Sequence, residues 1–122
     1  MKTYKTVKEI KADVKDGVLT INDNVTFELS FELEISLNVF GSIIAKNITC
    51  GNITCGDITC EDITCGDINC RNITCGDINY YAFCCVYGKM KCRTWKYRRE
   101  NAHTPIVLDG KIETATAGEG NE

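Results

Sequence analysis

From Lys46 to Tyr80 the chain reads KNITC GNITC GDITC EDITC GDINC RNITC GDINY, seven consecutive blocks of five residues. Isoleucine recurs at 48, 53, 58, 63, 68, 73 and 78, and Asn or Asp precedes it every time. Two places after each Ile stand Cys50, Cys55, Cys60, Cys65, Cys70, Cys75 and finally Tyr80. Side chains two apart on an extended segment point to one side. The next Ile comes three residues later, so every block must also turn a corner at its Gly-Asp, Gly-Asn or similar pair. Asn and Asp tolerate unusual backbone angles and bond their own backbone, which suits them to that place. Glycine helps there but is dispensable, since Lys46, Glu61 and Arg71 also occupy its position. Short straight sides with regular corners coil into a prism whose rungs touch only their neighbours, a solenoid.

The beat extends both ways. Ile43 with Ala45 precedes it, and Phe83 with Cys85 follows. After two inserted residues, Val86 and Tyr87, Met90 with Cys92 and Trp95 with Tyr97 fit the same frame, giving eleven apolar–x–apolar units. Upstream, every odd position from Val25 to Val39 is apolar, a one-sided strand pattern. Fifteen extended residues would reach roughly 50 Å, so this segment must bend around corners as the first coils of the same solenoid. Tyr4, Val7, Ile10 and Val14 have near-helical spacing, and Gly17 is a helix stop, which predicts a short helix closing one end of the prism. After Trp95, KYRRENAHTP breaks the frame, IVLDGKIE reads as an edge strand and ATAGEGNE as a disordered tail.

These blocks resemble the pentapeptide-repeat family over roughly residues 41–102. The resemblance implies a right-handed quadrilateral β-helix with four blocks per coil. The order differs, I-x-C here against the family's A-x-L, but the two-then-three spacing of inward residues is kept. Similar short chains with GDINA-type blocks and a basic Arg-Arg-Glu-Asn segment, here Arg98 to Asn101, occur in bacteria and phages. The expected architecture is all-β: a single quadrilateral β-solenoid with a short N-terminal capping helix. One domain spans 1–122, with residues 1–16 as the cap, 17–40 as the first coils, 41–97 as the repeat solenoid and 98–122 as edge strand and tail.

Nine cysteines invite a disulfide or metal reading. Zinc sites want C-x2–4-C pairs converging on one tetrahedron, whereas a Cys every five residues puts successive sulfurs on different walls. Four-block coils would stack Cys50 on Cys70, Cys55 on Cys75 and Cys65 on Cys85, within reach of a bridge. Free Cys, however, packs as a small hydrophobe, and core filling is the reading preferred here, with no metal and no cofactor. Asn-x-Thr sequons at Asn24, Asn47, Asn52 and Asn72 read as corner residues. Outward threonines at 49, 54, 59, 64 and 74 would suit an ice-binding face only as one flat ladder, and four walls would scatter them. Catalysis finds little footing. His103 would need Cys84 or Cys92 brought to it, and Asp57, Asp62, Asp67 and Asp77 serve corners. No enzyme is expected.

Charge is unevenly spread. Residues 80–103 carry a net +5 from Lys89, Lys91, Arg93, Lys96, Arg98 and Arg99 against Glu100, in a chain of net charge −3. Tyr80, Tyr81, Phe83, Tyr87, Trp95 and Tyr97 lie in the same stretch. The six cations are the candidate partner-binding residues. Basic groups with rings suit phosphate or single-stranded nucleic acid; as a capping end, the same rings close the prism and the cations face water. Duplex mimicry, known among pentapeptide-repeat proteins, is poorly served. Residues 46–79 supply a net −3, where a duplex of about 13 Å, the length of 2.75 four-block coils, carries about eight charges. The expected function is a non-enzymatic binding protein, a phage or mobile-element inhibitor that blocks a bacterial nucleic-acid enzyme or defence complex. Nucleic-acid binding by the basic aromatic segment and self-assembly into a scaffold are the alternatives. A protein partner is expected first, with nucleic acid or a homodimer through a solenoid end as further options. No apolar run suits a membrane span or a signal core, so the expected location is the cytoplasm.

Overall fold

Ile48, Ile63 and Ile78 stand in register in one parallel sheet, 15 residues apart. Ile43, Ile58 and Ile73 do so in a second, and Ile53 and Ile68 in a third. Three blocks, not four, therefore complete a coil, and the solenoid is triangular rather than quadrilateral. This computed structural model describes residues 2–100, 104–108 and 112–114.

Among the described residues the three walls hold seven, six and five parallel strands. The seven-strand wall stacks Lys2–Tyr4, Val25–Phe27, Ile43–Ile44, Asp57–Thr59, Asn72–Thr74, Met90–Cys92 and Ile112–Thr114. Each coil passes next to the five-strand wall, from Phe31–Glu32 up to Thr94–Tyr97, and then to the six-strand wall, from Val18–Ile21 up to Ile106–Val107. The inward isoleucines of the repeats are essentially sealed from water, and no polar or charged side chain is buried among the described residues.

Why three sides close the coil is visible at the corners. Asn47 Oδ1 accepts the backbone N–H of Asp62 at 3.2 Å, Asn52 that of Asp67 at 2.9 Å, and Asp62 that of Asp77 at 2.8 Å. Each corner side chain thus satisfies the corner one coil onward, not its own backbone. Such a ladder runs in step with the 15-residue strand register, each corner side chain meeting the amide one coil on. A Cβ on Gly66 or Gly88 would collide with the Asn52 or Asn72 oxygen that makes this bond, so glycine there is a matter of space.

The cysteines line three inner edges: Cys50 with Cys65, Cys55 with Cys70, and Cys60 with Cys75 and Cys92. The twenty-residue stacks do not occur, and all nine thiols are free. Cys50 and Cys65 donate weakly to the carbonyls of Gly51 and Gly66 at 3.4 Å, so cysteine offers what alanine would not, a donor for the corner carbonyl. The outward threonines stay divided: Thr49 and Thr64 share one wall, Thr59 and Thr74 another, and Thr54 the third.

The repeat frame slips twice, by one residue before Cys84 and by one more between Val86 and Met90. Ile68 pairs with Cys84 and Cys70 with Val86, so Cys84 and Val86 are the buried pair and Phe83 and Cys85 face outward. One extra residue sits at the preceding corner, where Asp67 Oδ1 receives the amides of both Ala82 and Phe83. The expected Phe83–Cys85 unit is therefore inverted.

At the N-terminal end the helix Val7–Asp13 buries Ile10 completely. Thr6 and Glu9 form a reciprocal capping box. Asp16 and Gly17 turn the chain back through left-handed φ of 52° and 76°. Tyr4 lies in a strand rather than in the helix; its ring stacks on Phe27 at 5.4 Å, and its hydroxyl donates to Asp13 at 2.7 Å. At the other end IVLDGKIE is not one edge strand. Ile106–Val107 pairs with Cys84–Val86, and Ile112–Thr114 with Met90–Cys92 on a different wall. The tail expected to be disordered, residues 115–122, lies outside the described residues.

Candidate partner-binding surface

The six candidate cations girdle one coil instead of gathering on one face. Lys89 and Lys91 flank inward Met90 on the seven-strand wall, and Lys96 points outward from the five-strand wall. Arg93 stands at the corner between those walls, and Arg98 and Arg99 at the corner leading to the six-strand wall.

Two of them are engaged within the fold. Arg93 grips Asp77 in a two-pronged pair, Nε to Oδ1 at 2.9 Å and Nη2 to Oδ2 at 2.5 Å, while the Thr94 hydroxyl donates to the same carboxylate. The guanidinium holds the Asp77 carboxyl below its usual range, with Thr94 adding to the effect. Both partners are substantially exposed, so the pair contributes little to stability. Arg98 differs. Its Nη1 donates to the carbonyl and side-chain oxygens of Asn79 at 2.9 and 3.1 Å, and its Nη2 to the carbonyl of Cys65 at 2.5 Å. It ties together three successive coils.

This position gives Arg98 a structural role that the charge pattern alone did not suggest. We predict that Arg98→Met costs about 1–3 kcal/mol, the range for charge-assisted bonds left unmade. Lys96→Met, with no side-chain partner among the described residues, should cost under about 0.5 kcal/mol. Urea unfolding of both variants measures the difference; equal midpoints would show that the Arg98 bonds contribute nothing.

The rings divide likewise. Tyr80 is sealed in the core, Trp95 is buried, and Tyr97 meets Tyr80 edge-on at 6.2 Å. Those three close the prism. Tyr81, Phe83 and Tyr87 lie outside, on the last described rungs of the six-strand wall. There Cys85 is in register with Ile106, and the amide of Leu108 bonds the carbonyl of Val86. Five of the seven exposed large apolar side chains among the described residues, Tyr81, Phe83, Tyr87, Ile106 and Leu108, share this patch. Elsewhere the same wall shows Thr20, Asn38, Thr54 and Asn69. Reading Phe83 as inward hides the patch. The usable signal was the run of small residues at Ala82, Cys84 and Val86, which matches the inner columns and leaves the odd positions outside.

Other chemistry is sparse. His103 lies outside the described residues, and its suggested partners Cys84 and Cys92 are buried, with burial pushing their thiols up to about 12 and about 11. Thiols so displaced are poor nucleophiles near neutral pH. No three His, Cys, Asp or Glu side chains among the described residues converge as a metal would require. Asp57, the adjacent Glu61 and Asp62, and Asp67 fall on three different corners, and Asp62 and Asp67 accept backbone amides, so the acidic repeat surface is no single face. No protein-family model, curated protein or solved structure matches this chain.

Proposed function

We propose that this protein is a non-catalytic binding module that holds a macromolecular partner against the C-terminal part of its six-strand wall. The observation that carries the reading is the gathering of Tyr81, Phe83, Tyr87, Ile106 and Leu108 on one outer face of a solenoid whose other walls bear mainly small polar groups. Contiguous exposed apolar surface of this kind marks interaction sites, and Tyr and Arg are enriched at their centres.

The finer reading is a pentapeptide-repeat-like phage or mobile-element inhibitor that occupies a bacterial nucleic-acid enzyme or defence complex in the cytoplasm. It is supported by the repeat resemblance and by the exposed apolar patch on the six-strand wall. No helix among the described residues is long and apolar enough to cross a membrane. Duplex mimicry gains nothing from the three-walled geometry: seven strands span roughly 29 Å, a length of duplex carrying about 17 charges.

A photo-crosslinking residue placed at Tyr87 tests the docking reading, with the same residue at Thr59 on the seven-strand wall as control. Adducts in cells from position 87 alone are the expected result. Equal yields from both positions, or none from either, would reject this wall as the docking face.

A further inference from the structure

Building on the docking reading above, the chemistry around the patch narrows what it holds. The last coils are basic within an acidic chain. Residues 80–100 contain six cations and Glu100, so the remainder of the chain carries −8 against its overall −3. Three exposed cations border the patch. The amide of Arg99 bonds the Tyr81 carbonyl at 2.9 Å, which sets the two residues side by side along the backbone. Arg71 lies directly beneath Gly88, its carbonyl receiving the Gly88 amide, and Lys89 follows; both therefore adjoin Tyr87. Tyr81 is 48% and Tyr87 52% exposed, and six residues of extended chain separate them by at most roughly 20 Å.

We propose that this platform binds single-stranded nucleic acid, with bases stacking on Tyr81 and Tyr87 and phosphates held by Arg71, Lys89 and Arg99. Rings flanked on both sides by cations supply the two elements such binding needs: π-faces that accept any base, and positive groups that follow the backbone. Ile106 and Leu108 extend the apolar floor above the rings. Arg98 is left out because its guanidinium is committed to Cys65 and Asn79. A duplex fits poorly, since its bases are stacked on one another and present no face to the tyrosines. A partner drawn by charge alone would have no use for the rings.

The test is fluorescence anisotropy with a labelled oligo-dT of about 12 nucleotides, in about 50 mM and about 200 mM salt, against a duplex of equal length. The oligo-dT is expected to bind at least about tenfold more tightly than the duplex and to weaken with salt. Tyr81→Ser/Tyr87→Ser should lose about tenfold or more, since each stacked base is worth that much. Arg71→Ser/Arg99→Ser should flatten the salt dependence by about one to two phosphates' worth. Circular dichroism and melting of both variants confirm that each is folded. No binding at protein concentrations up to about 100 µM, or undiminished binding by the ring variant, overturns the proposal. An apolar dye that fluoresces on exposed hydrophobic surface separates the two readings. Dye bound by the native protein and lost in the ring variant, with oligo-dT unbound, leaves the docking patch standing for an acidic protein and removes nucleic acid. Absence of dye binding as well removes both.

Discussion

Ile63→Asp will leave the chain unfolded in water, whereas Thr64→Asp, one residue on, will leave it folded. Ile63 is 1% exposed and lies between Ile48 below and Ile78 above, with no buried polar group anywhere in the described core to receive a carboxylate. An unpaired charge there costs several kcal/mol, against a total stability near 5–15 for a domain of this kind. The position is also central. Because a solenoid rung touches only its neighbours, disrupting the middle of the stack separates the halves instead of fraying an end. Thr64 belongs to the outer face of the same wall, between Thr49 and Asn79. A carboxylate there remains hydrated and meets only mild repulsion from nearby Asp62 and Asp77, a matter of a few tenths of a kcal/mol. Far-UV circular dichroism and thermal melts decide it. A similar loss of structure in both variants would mean that the inner and outer faces are not as described.

That prediction rests on what the sequence made plain, namely which side chain of each block faces in. A two-then-three spacing of Ile and Cys admits one assignment of inside and outside, and the alternation from Val25 to Val39 joins it without a break. The number of walls was not legible in the same way. Five residues per side is compatible with three sides or four, and the decision is made by contacts 15 residues apart, such as Asn47 with Asp62, that no local pattern displays. The partner-facing residues were legible only in part. Composition drew attention to residues 80–99, yet there Cys85 keeps the five-residue beat while the fold follows its neighbour Cys84, and that one-residue shift decides whether Phe83 is core or surface. The structural role of Arg98 was hidden for a different reason. Its structural role is to reach Cys65, 33 residues earlier in the chain, and a long flexible side chain gives no sequence sign of where its tip ends.

The thiols give the second large effect, a steep loss of stability in alkali. An ordinary cysteine titrates near 9.0, and in this fold Cys50, Cys65, Cys70, Cys75, Cys84 and Cys92 are all raised above that. Burial alone pushes Cys50 up to about 12. Cys70 and Cys75 are raised first by hydrogen bonds with Cys55 and Cys60 one coil below and then by burial. As pH climbs past the ordinary value, the unfolded chain sheds these six protons while the folded chain keeps them. The unfolded state then binds fewer protons, so stability is full below about pH 9 and falls as pH rises toward the folded values. Each thiol costs about 1.4 kcal/mol per pH unit in that window, so six together cost about 8, comparable with the whole stability of a small domain. Tyr4 and Tyr80, both raised chiefly by burial, push the same way at higher pH. Under reducing conditions the melting temperature should hold level from about pH 6 to 8, and the fold should be lost within roughly one to two units above the ordinary thiol value. Replacing Cys84 and Cys92 with Ala should lower stability at neutral pH through lost packing, yet make its decline with pH shallower by about a third. A melting temperature unchanged up to pH ~10.5 would show that these thiols ionise as readily in the folded chain as in the unfolded one. The inner columns of cysteine would then be open to water, not part of a dry core.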